Sequence, residues 1–248
     1  MEQMPKTPLI RIGDFFFKWR DKAFPLILIL ALLFFAPATT LFGSTSLDTT
    51  RDWLAIAVII LGLVVRFSTI GWAYIVRGGV NKEVYADKLV VSGYFGMCRN
   101  PLYVGNLLIA VGIWLLHGHW VVMLGGTGLF LLIYISIVAA EEHFLRAKFG
   151  ADFDSYCASV SRWIPNLSRH SEVTKGMQFS FLRSLVNDYG TIATALLTIV
   201  VLQLVETYRS SSSDVFSDKL LQMALPTALI IAFGVSVKMY KLRLKRKA

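Results

Sequence analysis

Cys98–Glu142 reads CRNPLYVGNLLIAVGIWLLHGHWVVMLGGTGLFLLIYISIVAAEE, and the fold turns on this stretch. Two apolar arms, Leu102–Leu116 and Trp120–Ala140, meet at the short polar turn HGHW, and formal charge stands only at the two open ends. A bilayer core about 30 Å thick takes roughly 20 helical residues to cross. The pair is therefore expected as a tight helical hairpin in a membrane, its first arm short enough to tilt or to thin the bilayer. Gly125, Gly126 and Gly128 in the second arm predict a close helix contact. They are not a phosphate loop, because no strand precedes them.

Working outward, Phe24–Phe42, Trp53–Val76, Thr191–Val205 and Leu220–Val237 are further apolar runs almost free of charge, and hydrophobic residues make up 55% of the 248. The fold class expected is all-α, a multi-pass transmembrane helical bundle of about six spans with both termini cytoplasmic. No small-residue cleavage site follows Phe24–Phe42, so that run reads as a retained helix rather than a signal peptide. Ahead of it, Phe15, Phe16, Phe17 and Trp19 interleave with Arg11, Lys18, Arg20 and Lys22, the pattern of an interfacial helix on the inner leaflet. Gly43–Asp52 reads as a polar outer turn, Arg77–Arg99 as a cytoplasmic loop, and Glu141–Asp188 as the largest cytoplasmic piece. Three units follow: 1–48, an interfacial helix and first span; 49–168, a membrane core with a cytoplasmic segment; and 169–248, an accessory segment and span pair with a basic tail.

The net charge of +9 is a topology signal. Of 25 Lys and Arg residues, 21 fall before Phe24, in Arg77–Arg99, in Arg146–Arg183 or after Val237. With an even number of spans these blocks share one side, and the positive-inside rule makes that side the cytoplasm. The tail KMYKLRLKRKA adds attraction to anionic lipid. Nucleic acid is not an expected partner; a membrane is. The compartment follows as the inner membrane of a bacterium or the endoplasmic reticulum of a eukaryote. Cys98 and Cys157 fall on the cytoplasmic side, where a disulfide is not expected. Two cysteines and four scattered histidines make no zinc pattern, and His117 and His119 read as a solvated turn.

Chemistry gathers at the hairpin's open ends. Asn100 is a favoured N-cap and Pro101 a favoured first helical residue, which accounts for both without a function. Arg99 beside them adds a bidentate donor at a helix start that already attracts anions. Tyr103 and Asn106 share the next face. Glu141 and Glu142 close the second arm, where a helix C-terminus disfavours negative charge. They are expected to be solvated, paired with Arg99 or Arg146, or to bind a cation. Arg66, counted along the run Trp53–Val76, is expected near the bilayer midplane, where a charge costs at least about 2.5–3.5 kcal/mol and calls for a partner or a polar cavity. Arg162 and Trp163 precede Pro165 in SRWIP, an interface anchor or part of a site.

In this order the elements Gly93-Tyr94, Arg99-Asn100-Pro101-Leu102-Tyr103-Val104-Gly105, Glu141-Glu142, Phe149-Gly150, Phe153, Tyr156 and Arg162–Pro165 resemble the isoprenylcysteine carboxyl methyltransferase and phospholipid methyltransferase superfamily of integral membrane enzymes. The resemblance spans roughly Asp52–Asn166. It implies S-adenosylmethionine as cofactor and a lipid or lipid-modified acceptor, carboxylate or amine, at the cytoplasmic leaflet. It assigns Arg99, Asn100, Tyr103, Gly105, Glu141 and Glu142 to the cofactor. Arg66, Arg162 and Trp163 go to the acceptor, and Glu141, Glu142 and Arg66 to catalysis. No metal is implied. Asn100 stands where the family usually has histidine, so that position cannot titrate near neutral pH. The span pair after Ser168 is additional to the family core. Two other readings compete: a lipid double-bond reductase, since membrane sterol reductases end in a similar element, and a scaffold that keeps the fold without catalysis. A transporter is disfavoured, because no repeated half is visible.

Overall fold

The computed structural model describes residues 5–38, 45–73, 84 and 86–247. The regular elements among them are all helical: α1 (Pro8–Phe34), α2 (Thr45–Trp72), α3 (Pro101–His117), α4 (Thr127–Phe149), α5 (Ala151–Ser159), α6 (His170–Val173), α7 (Phe181–Ser210) and α8 (Ser213–Lys247). A π-helical turn, Val122–Gly126, leads into α4. Four helices are long and apolar enough to cross a membrane: α2, α4 with its leading turn, α7 and α8. At 17 residues α3 is shorter, about 25 Å long. The molecule is a helical membrane bundle.

The hairpin forms as expected. α3 ends on Gly118 at φ 76°, a left-handed cap that glycine takes without a Cβ clash. The tightest helix contact lies elsewhere than predicted. A Cβ on Gly125 or Gly128 would meet nothing within 4 Å, while Gly126 rests on the Trp114 ring. Two helix pairs approach closely: α1 and α4, where Gly13 abuts the Ser136 carbonyl, and α2 and α3, where a Cβ on Gly62 would lie 2.6 Å from the Gly105 carbonyl oxygen and one on Gly112 2.7 Å from that of Ala55. Small residues there let two backbones touch and gain dispersion contacts that lipid cannot supply.

The expected interfacial helix and first span are one helix. α1 runs antiparallel along α4: Gly13 abuts the Ser136 carbonyl, the Phe24 and Phe130 rings are 4.8 Å apart, and Phe35 and His119 4.9 Å. It stops at Phe34, short of Phe42; residues 39–44 lie outside the described residues, as do 74–83 and 85 of the loop before Arg99. Most of the expected outer turn is helical instead. Asp48 and Asp52 clamp the buried Arg51 there at 2.7 and 2.8 Å. His117 is fully buried rather than solvated, its carbonyl accepting from Ala38 N–H at 2.9 Å.

α7 begins at Phe181, ten residues before the apolar run it contains, so Asp188 sits inside a membrane helix rather than in a cytoplasmic segment. Its first turn docks on the end of α2. Ser180 N–H donates to Gly71 O, Arg183 Nε to Ile70 O and Ser184 Oγ to Phe67 O, at 3.0, 3.0 and 2.7 Å. The first two satisfy carbonyls that the helix end leaves unpaired, and the third adds a bond to a carbonyl one turn earlier. α8 packs along α7, with Lys241 Nζ on Asn187 at 3.1 Å. Leu221, Leu225 and Leu229 stay exposed on it, the face a lipid-facing helix presents.

Candidate active site

Two irregular segments build the end of the bundle where the hairpin opens. Arg99 N–H donates to Ser161 O at 2.9 Å and Asn166 N–H to Met97 O at 3.0 Å, laying 97–100 beside 161–166. Asn100 starts α3, but its side chain makes no capping bond; Nδ2 donates across to Arg162 O at 3.1 Å. That is where the cap reading is corrected: the amide ties the two segments together. Cys98 is fully buried and donates Sγ to the same carbonyl at 3.4 Å. Burial pushes its thiol up to about 11, so it stays protonated at neutral pH.

The glutamate pair does not close its helix. α4 continues to Phe149, placing Arg146 and Lys148 in the last turn, where they complement the helix dipole. Arg146 pairs with Asp154 at 2.7 Å and not with a glutamate. Adjacent residues on a helix point about 100° apart, so the two carboxylates serve different neighbourhoods. Glu142, buried, takes a two-pronged bond from Arg162, Nε at 3.1 Å and Nη2, with Arg99 Nη1 at 3.5 Å. Arg99 Nη1 also meets Cys157, and its Nε is buried with no hydrogen-bond partner among the described residues. Glu141 accepts instead from the Tyr103 hydroxyl, which receives Arg20 Nη1 at 3.5 Å. Trp163 is partly buried and packs against the core cluster that includes Phe17, Trp114 and Phe130.

Arg66 is 4% exposed and has every donor engaged. Nε and Nη2 grip the carboxylate of Asp188, Nη2 also reaches Thr191 Oγ1 at 3.0 Å, and Nη1 reaches Asn106 Oδ1 and Leu102 O. The partner demanded by a charge in the membrane is thus Asp188 of α7, which is 1% exposed. α2 ends at Trp72, so Arg66 lies only about 9 Å from the helix end rather than at midspan. Gly105 makes room for this arrangement: a Cβ there would lie 2.5 Å from Arg66 Cγ and 2.8 Å from Gly62 O. The sequence reading missed Asp188, although an unpaired Arg66 signalled that some acid had to face it.

A cavity of about 530 Å³ lies between α1, α3, α4 and α7. Phe24, Leu28, Ile109, Ile113, Trp114 and Phe130 give it an apolar wall. Arg66, Asn106, Thr191 and Tyr134 line a polar part, with Arg20 and Asp21 contributed by α1. Asn106 hydrogen-bonds the Tyr134 side chain, and the Tyr134 and Tyr103 rings are 5.4 Å apart, so the cavity adjoins the Glu141 group. Among the described residues no three His, Cys, Asp or Glu side chains gather as a metal site would require.

Residues 50–152 match the model of the phospholipid methyltransferase family. Through that segment the chain is similar to this family. The segment holds Arg66, Arg99–Gly105 and both glutamates, and ends before Arg162 and Asp188. Among curated proteins the chain is 31% identical over 137 residues to the cobalt-zinc-cadmium resistance protein CzcN of Cupriavidus metallidurans, covering 54% of this chain and 60% of the relative. It is 29% identical over 154 residues to the nickel-cobalt-cadmium resistance protein NccN of Alcaligenes xylosoxydans xylosoxydans, covering 60% and 68%. A third relative, 7-dehydrocholesterol reductase of Danio rerio, is 30% identical over 93 residues, 34% of this chain and 18% of that one. No solved structure matches.

Proposed function

We propose that this protein is an S-adenosylmethionine-dependent methyltransferase acting on a lipid or lipid-modified acceptor at the cytoplasmic leaflet. The observation that carries the reading is the convergence of Arg99 and Glu142, from opposite ends of the family's hairpin, with Arg162 on one buried carboxylate. The chemistry of this group fits the cofactor. The unpartnered Arg99 Nε–H is a donor suited to the cofactor's carboxylate, and Glu142 is a carboxylate suited to its ammonium and sulfonium. When bound, S-adenosylmethionine supplies an electrophilic methyl group. Arg99, Glu142 and the Asn100-tied segment would hold it, and the apolar helices around them exclude water and fix the angle of approach.

The two glutamates take different roles. Glu142, paired with Arg162 and Arg99, stays a binding residue. Glu141, bonded only through Tyr103 to Arg20, is the group placed to take a proton from an amine acceptor. A carboxylate acceptor needs no base.

Calorimetry with S-adenosylmethionine on detergent-purified full-length protein tests the reading. Micromolar binding is expected for the wild type, weakened by about tenfold or more in Arg99→Ala and in Glu142→Gln, the loss of one charge-assisted bond. A well-folded wild type with no affinity overturns it. The fish sterol reductase supports a second reading, a lipid double-bond reductase. Saturable binding of a reduced nicotinamide cofactor in place of S-adenosylmethionine would move that reading to the front.

A further inference from the structure

The cavity between α1, α3, α4 and α7 holds an arginine, which invites the idea of a site for an anionic head group. Its hydrogen bonds exclude that. A guanidinium has five N–H donors, and those of Arg66 go to Asp188 twice, Thr191, Asn106 and Leu102. Asp188 neutralises the charge as well as occupying the fork. The other two charged side chains lining the cavity, Arg20 and Asp21, are of opposite sign. The lining is therefore balanced in charge and apolar over most of its wall. From Asn106 to Trp114 the cavity follows α3 for about 12 Å. Leu32 of α1 and Leu202 of α7 share a core cluster toward the outer end. Its volume is within the range of small-ligand sites.

We infer that this cavity binds an uncharged lipid chain, and that Asp188, supplied by α7 from outside the phospholipid methyltransferase segment, sets that preference by occupying Arg66. Asp188 is thus a specificity-determining residue, and α7 is a wall of the binding site rather than an added anchor. The inference deepens the acceptor side of the proposed function, but it concerns binding alone and stands or falls without methyl transfer.

The probes are stearyl alcohol and stearic acid carrying the same spin label on the chain. Each is titrated at pH 8 into full-length protein in phosphatidylcholine nanodiscs while tryptophan fluorescence is followed. Trp114 lines the cavity, so an occupant quenches it, and Trp114→Phe identifies that component. The wild type is expected to quench saturably with the alcohol and about tenfold more weakly with the acid. Asp188→Asn, which frees the arginine fork, is expected to reverse that order. Arg66→Met with Asp188→Leu replaces the buried pair by apolar groups, a change that folded proteins tolerate, and is expected to keep the alcohol preference. Acid bound by the wild type as tightly as alcohol, or quenching that does not saturate for either probe, overturns the inference even if Asp188→Asn does not fold. Loss of S-adenosylmethionine binding with the alcohol preference intact would instead count against the methyltransferase reading alone.

Discussion

Gly105 carries a packing role that its motif does not reveal. Its place in RNPLYVG points to the cofactor, and in the bundle it also secures room for the Arg66 stem and the Gly62 carbonyl. Gly105→Ala is expected to destabilise the bundle by about 1–3 kcal/mol, the usual range for overpacking, which a thermal melt in detergent will register. Cys98 and Cys157 form a second test. The Cys98 thiol ionises at about 11 when folded, against an ordinary value of 9.0. The unfolded chain therefore releases that proton first as pH rises. Stability should be unaffected by this group below about pH 8 and should decline as pH climbs from about 9 through 11. Maleimide labelling of native protein at pH 7.5, read by mass spectrometry, should modify the half-buried Cys157 and spare Cys98. Equal labelling of both would contradict the buried environment. Arg66, by contrast, was legible as a problem in the sequence, and its solution lay 122 positions along the chain.

Among elements, the contacts along α4 divide by face. Gly13 of α1 lies against Ser136 with no space for a methyl group, while Gly128 looks into open space. Gly128→Ala should be neutral or stabilise by up to about 1 kcal/mol through helix propensity, and Gly13→Ala should lower the melting temperature and loosen α1. Limited proteolysis within α1 compares the two; the same susceptibility in both variants would mean that α1 does not depend on this contact. The end of α2 is a related case. Arg183 from α7 caps it through the Ile70 and Gly71 carbonyls. Arg183→Ala removes hydrogen bonds from a charged donor, worth about 1.5–3 kcal/mol, and should release α7 from α2, seen as faster hydrogen exchange at both helix ends. Periodicity located the apolar run of α7 from Thr191 onward. It did not show that the helix starts at Phe181, because Arg183, Asn187 and Asp188 look like loop chemistry until their partners are known.

For the whole molecule, the clustering of 21 of 25 basic residues in four blocks predicts that both termini face the cytoplasm. Reporter fusions at each end, active only on one side of the membrane, should place the two together; opposite sides would require an odd number of crossings. What the sequence determined by itself is what depends on composition and local order. Long apolar runs made the chain a helical membrane bundle, Asn100-Pro101 fixed the start of α3, Gly118 closed the hairpin, and the ordered motifs pointed to the family. Tertiary structure alone decided which charge meets which. Two adjacent glutamates face different partners because one residue of helix rotates them apart. The arginine of α2 is neutralised by an aspartate of α7 because a desolvated charge must find its opposite in space, and no spacing along the chain encodes that distance.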